Sequence, residues 1–122
     1  MQEERYRNFT PFEVVYQAND GDEPRRFPSE GSAFMDEREA TLLGQWAGVN
    51  LHKTRYGDIL QLPPPEPGVK YIVPFPTAMI EAWTATKPRT DLVYPDTGKT
   101  ARRDGQRVLS VRAFCVFDND GM

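Results

Sequence analysis

The alternation of apolar and polar residues predicts a chain built mostly from short β-strands. Runs rich in β-branched and aromatic residues recur along the chain, and clusters of Gly, Pro, Asn and Asp separate them, as is typical of antiparallel strands. Residues 69–73 form the strongest candidate for a buried strand because the run is almost entirely apolar. Residues 63–68 contain four prolines, so neither a helix nor a strand ladder is expected there.

Two turns predict β-hairpins. Residues 19–22, Asn-Asp-Gly-Asp, predict a hairpin that joins residues 12–16 to residues 25–27. Residues 103–106 predict a second hairpin, and it leads into an alternating segment over residues 107–117. The alternation predicts one long half-buried strand with Cys115 on its apolar side.

One helix is predicted over about residues 76–86. It begins at Pro76, which suits a first helical turn, and its spacing places Met79, Ala82 and Trp83 on one face. We expect this face to pack against the sheet, with Trp83 as its anchor.

The middle of the chain is harder to interpret. Residues 37–43 fit a helical turn or a strand equally well. Residues 46–51 and 53–62 predict two further strands, with bends at Gly48 and Gly57.

These elements predict an α+β fold with six to eight short strands and one helix. The strands would form a mainly antiparallel sheet or a partly open barrel. We expect a single domain over residues 1–122, and we leave open a mobile acidic arm over residues 1–8.

Charge is distributed unevenly along the 122 residues. The net charge is −3, but residues 1–45 hold ten acids and five bases, whereas residues 87–112 hold seven bases and three acids. The overall sign disfavours nucleic-acid binding. The acidic start, the single cysteine and the lack of an apolar run of about 20 residues predict a cytoplasmic protein without a membrane span.

Few residues can support catalysis or metal binding. One histidine and one cysteine cannot form a structural zinc site, so no metal and no cofactor are predicted. A catalytic pair of Cys115 with His52 needs an exposed thiolate, and the alternation instead predicts a buried, inert thiol. Gly98-Lys99-Thr100 resembles the end of a phosphate loop, but Val93 occupies the position of its first glycine. We therefore expect no enzymatic activity.

One candidate ligand-binding site follows the helix. Its residues are an Arg–Asp pair, a polar turn and a basic run: Arg89, Asp91, Asp96, Thr97, Lys99, Arg102 and Arg103. Two interpretations stay open. The residues could form one loop fastened by an Arg–Asp pair and an Asp-capped turn, or a pocket for a phosphate or carboxylate.

Four blocks of the sequence carry a resemblance. They are Asn8-Phe9-Thr10-Pro11-Phe12, Leu62-Pro63 with Pro67-Gly68-Val69-Lys70-Tyr71-Ile72-Val73, Arg89-Thr90-Asp91-Leu92-Val93-Tyr94-Pro95-Asp96, and residues 108–117. In these blocks the chain resembles a group of small proteins encoded by bacteriophages, actinobacteria and other bacteria. Phe12 departs from the pattern of the group, which has His there. The resemblance implies origin and shape rather than chemistry.

Together these observations favour a non-enzymatic accessory binding protein of phage type. It would engage a host protein or a small anionic ligand in the cytoplasm through its basic C-terminal side. The alternative is a virion component, such as a capsid or tail accessory subunit, that uses the proline-rich segment and the acidic N-terminal arm for docking. Self-association is compatible with both.

Overall fold

The computed structural model describes residues 3–117, which contain ten strands and one helix. In chain order the elements are β1 (Arg5–Asn8), β2 (Val14–Tyr16), β3 (Arg25–Phe27), β4 (Phe34–Trp46), β5 (Val49–Leu60), β6 (Val69–Ile72), α1 (Phe75–Thr84), β7 (Leu92–Pro95), β8 (Arg102–Asp104), β9 (Arg107–Ser110) and β10 (Phe114–Cys115).

A four-stranded sheet in the order β1-β6-β7-β10 organises the fold. β1 and β7 flank β6 in parallel, and β10 adds to β7 in the antiparallel direction. The parallel step from β6 to β7 requires a crossover, and α1 supplies it. Three antiparallel two-stranded sheets accompany it: β2-β3, β4-β5 and β8-β9.

Side chains alternate across the central sheet and form a core on each face. Tyr71 and Val73 are fully buried on the face that packs against α1, together with Leu92. Ile72 and Val93 point to the opposite face and are buried in the second core, which includes residues of β2 and of the β8–β9 region. This alternation with a period of two is the expected geometry of strands covered on both sides.

The fold class agrees with the sequence. The chain is α+β and mostly β, and four of the six strand pairs are antiparallel. The observed form is an open sheet, the first of the two predicted alternatives. The β2–β3 and β8–β9 hairpins are confirmed. Residues 3–117 contain ten strands, whereas six to eight were predicted. Part of the difference is that β1 was not predicted and that residues 107–117 form two strands, β9 and β10, instead of one.

The helix is present, but its orientation differs from the prediction. Its small or polar residues Thr77, Ala78, Glu81 and Ala82 are buried. Trp83 is 69% exposed, so it does not anchor the helix to the sheet. The small side chains allow the helix to approach the sheet closely, and the large apolar residues then lie on its outer side.

The structure also bears on both ends of the chain. Arg5–Asn8 is a strand that pairs with β6, so this part of residues 1–8, for which the sequence leaves a mobile arm open, is fixed to the sheet. Residues 1–2 lie outside the described part. The predicted long strand over residues 107–117 is divided into β9 and β10, with a bend near Arg112, because Val111 turns inward to bond with β2.

The undecided residues 37–43 belong to a long hairpin. β4 and β5 pair along most of their length, and the two predicted strands over residues 46–62 are one strand, β5, preceded by a turn. Ala47 and Gly48 form this turn with φ values of 51° and 79°, as a tight two-residue hairpin turn requires. Every residue over 37–53 is exposed, so the hairpin projects from the body as an arm.

Candidate functional site

Arg89 and Asp91 form a two-pronged ion pair at the start of β7. Arg89 Nε lies 3.0 Å from Asp91 Oδ1, and Nη2 lies 2.7 Å from Oδ2. The two side chains are only 18% and 15% exposed. The predicted pairing of residues two apart on an extended segment is therefore observed, in the bidentate geometry that makes Arg–carboxylate pairs strong.

The same arginine fastens three other parts of the fold. Its Nη1 donates to the carbonyl of Pro63 at 2.9 Å, which holds the proline-rich segment. Its backbone N–H donates to the buried carboxylate of Glu81 in α1 at 2.9 Å. Its guanidinium carbon lies 5.3 Å from the ring centre of Tyr71, within cation–π range. All three guanidinium nitrogens thus have a partner within the protein.

The remaining predicted site residues lie at the other end of β7. Asp96 Oδ1 accepts the N–H of Gly98 at 3.0 Å, and Arg103 donates to the carbonyl of Thr97. Lys99 and Arg102 are exposed. Five residues of extended chain span roughly 16 Å, so the strand keeps Asp91 well apart from Asp96. The structure therefore brings the seven residues together in two groups, not in one loop.

A cleft of about 530 Å³ lies between the base of the arm and the end of α1. Basic Lys87 and Arg89 line it together with acidic Asp58 and Glu81. The cleft therefore has no predominant charge, and Arg89 is the one predicted site residue in its lining.

Cys115 and His52 occupy different parts of the molecule. His52 lies on the exposed arm, whereas Cys115 is half-buried in β10 opposite Tyr94. Burial raises the pKa of the Cys115 thiol, and the nearby Asp96 carboxylate raises it further. The thiol is less buried than predicted, but its raised pKa still disfavours the thiolate that a nucleophile requires. Among residues 3–117 no group of three or more His, Cys, Asp or Glu side chains could hold a metal ion.

The tip of the arm is an apolar surface that the sequence analysis missed. We define the arm tip as residues 40–52, which contain no Asp, Glu, Lys or Arg. Its large apolar side chains are between 45% and 75% exposed: Leu42, Leu43, Trp46, Val49 and Leu51. The strand register places Trp46 opposite Val49, and Leu51 on the same face of the ribbon.

The outer side of α1 is a second such surface. We define the helix face as Phe75, Pro76, Met79, Ile80 and Trp83, which share the side of the helix opposite its buried residues. Phe75 is 48% exposed and Trp83 69%, and Met79 and Ile80 are half-buried. The ring of Phe117 extends this surface, with its centre 5.5 Å from that of Phe75 and 6.2 Å from that of Trp83.

A sequence signal for both surfaces exists. Residues 40–52 and 71–80 are the two longest segments without a charged residue, in a chain that is 27% charged. The second segment covers the last two residues of β6 and the first six residues of α1. An uncharged segment is ordinary where it is buried, as in β6, and becomes informative where it is exposed.

Comparisons with known proteins give no match: no family model, no curated protein and no solved structure is significantly similar to this chain. In the described residues, no helix has the length and apolar character needed to span a membrane. The structure itself thus defines an α+β protein with a projecting arm and two exposed apolar surfaces.

Proposed function

We propose that this protein is a non-enzymatic binding protein that engages another protein through its arm tip. The observation that supports this most directly is the exposure of five large apolar side chains on an uncharged, projecting segment. Trp46, Val49 and Leu51 share one face of the ribbon, and exposed apolar surface of this kind marks interaction sites in soluble proteins.

The shape of the arm supports a role in binding rather than in stability. A two-stranded hairpin is at best marginally stable by itself, and residues 37–53 of β4 and β5 are all exposed, so this outer part of the hairpin covers no core. Trp46, at 75% exposure, has the size and amphipathic character of a residue that dominates binding energy.

A small anionic ligand is the less supported version of this function. The donors of Arg89 already bind Asp91 and Pro63, and Arg103 already binds Thr97. Lys99, Arg102 and Arg103 are all exposed. Anion binding by these residues stays a prediction.

A virion structural component is the second candidate. It is favoured by the occurrence of two separate apolar surfaces, the arm tip and the helix face, on one small chain. An assembly subunit needs contacts to more than one neighbour, whereas a simple accessory protein needs only one. Under the first candidate the protein acts in the cytoplasm, and under the second it resides in a phage-type particle.

Site-specific photocrosslinking tests the proposed function. A benzophenone amino acid is placed at position 46 and, as the matched control, at position 12, because Phe12 is an equally exposed aromatic residue outside the arm at 77%. After irradiation in the cells that encode the protein, position 46 should crosslink to a defined polypeptide and position 12 should not. Absence of any polypeptide adduct specific to position 46 would refute arm-mediated binding.

A further inference from the structure

We infer that the arm tip of one copy of this chain docks on the helix face of a second copy. This inference rests on the proposed function, in which the arm binds a protein, and it adds the identity of that protein. In each contact one copy contributes its arm tip and the other its helix face, so the contact is head-to-tail.

The two surfaces match in chemistry. The arm tip is the uncharged segment 40–52, and the helix face lies in the uncharged segment 71–80 apart from Trp83. The acidic residue of α1, Glu81, is buried on the opposite side of the helix. Docking one surface on the other would therefore bury no unpaired charge, which is the main cost of a poorly matched interface. A highly charged partner surface would not meet this condition.

The two surfaces also match in size. Five large side chains at 45–75% exposure present on the order of several hundred Å² on the arm tip. A stable interface typically buries about 800 Å² on each partner, so the tip with its flanking backbone approaches the required area. The helix face, extended by Phe117 and the neighbouring Tyr94, offers a broad aromatic counterpart.

The arm does not cover the helix face of its own chain. Its base contacts α1, but every residue of the tip is exposed, and Phe75 and Trp83 are exposed as well. Among residues 3–117 no segment covers either surface, and a second copy is a partner that carries a counterpart for each.

Analytical ultracentrifugation with complementing variants tests the inference. The parent should self-associate at micromolar concentration. Trp46→Ser and Trp83→Ser should each weaken this association by about 30-fold or more, as expected for a central aromatic residue of an interface. The control Phe12→Ser should associate like the parent. Thermal melts of all variants check that they are folded.

Mixing the two variants gives the decisive result. The Trp83→Ser copy retains an intact arm tip and the Trp46→Ser copy an intact helix face. An equimolar mixture should therefore form heterodimers at concentrations where each variant alone stays monomeric. Association of Trp83→Ser at the level of the parent would overturn the inference and indicate arm-to-arm pairing. Failure of the mixture to associate, or a parent that is monomeric throughout, would overturn it too. A monomeric parent that still gives a crosslink to another protein at position 46 would leave the proposed function standing.

Discussion

Replacement of Arg89 by alanine should destabilise the fold strongly, because this side chain joins three parts of it. The change leaves the carboxylate of Asp91, only 15% exposed, without its two hydrogen bonds, and it releases the carbonyl of Pro63. Removing one partner of a buried ion pair costs about 3–5 kcal/mol, and a charge-assisted hydrogen bond contributes about 1.5–3 kcal/mol.

The residual exposure of both side chains favours the lower end of this range. We therefore expect a loss of about 3 kcal/mol in the free energy of unfolding, measured by urea denaturation. For a domain of this size that loss corresponds to a decrease of about 10–15 °C in Tm. The matched control is Arg26→Ala, because Arg26 pairs with Glu13 but both are largely exposed, and it should cost less than about 1 kcal/mol.

A double-mutant cycle with Asp91→Asn tests the assigned partner. The two single changes should each destabilise the protein, and the double variant should be more stable than their sum predicts by about 1–3 kcal/mol. Additive effects would refute the pairing as the source of stability. An unchanged Tm for Arg89→Ala, combined with loss of stabilisation by added inorganic phosphate, would instead show that the guanidinium serves a ligand.

Three further outcomes are expected. Asn8→Ala should cost about 3 kcal/mol in urea denaturation, because the buried Asn8 amide donates to the carbonyls of Phe12 and Phe27; a loss under about 1 kcal/mol would contradict this. Trp83→Ala should lower stability by less than about 1 kcal/mol in a thermal melt, since the side chain is 69% exposed. A larger loss of stability would show that Trp83 packs in the core after all. The raised pKa of Cys115 favours the neutral thiol in the folded state, so its contribution is present below the unfolded pKa of about 8.5 and is lost as pH rises through the folded pKa. Stability should therefore decline at alkaline pH less steeply in Cys115→Ala than in the parent, and equal slopes would argue against this.

Local signals allowed several elements to be predicted from the sequence. The turn at Gly21 and the one at Gly105 each specify a hairpin by backbone geometry alone, and both hairpins form. The prolines of residues 63–68 exclude regular structure, as observed. The Arg89–Asp91 pair was predictable because residues two apart on an extended segment share a side.

Long-range strand pairing, the orientation of the helix and the exposed arm could not be predicted from local signals. The parallel pairing of Arg5 with Val69 depends on the whole fold, and no local pattern encodes it. The predicted orientation of the helix was wrong because large apolar residues normally face the core, whereas here Ala78 and Ala82 do so and Trp83 faces outward. The arm gave no clear period because neither of its faces is buried, and burial of one face is what produces alternation.

The contacts of the candidate site also divide into local ones, which the sequence predicts, and long-range ones, which it does not. Asp96 bonding back to Gly98 is a local turn that its sequence predicts. The contacts of Arg89 with Pro63, Tyr71 and Glu81 join segments up to 26 residues apart, and only the folded chain reveals them.

The projecting arm also divides the molecule into regions of unequal local stability. The hydrogen bonds of its outer part connect only two strands, and no buried side chain supports them over residues 37–53. This segment can therefore open while the central sheet stays intact, and its amide protons should exchange with solvent long before those of Tyr71 and Ile72. A docked partner would slow the exchange of the amide protons in the arm, because the arm would then open only after the partner dissociates. Slowed exchange confined to the arm is thus a direct signature of its engagement.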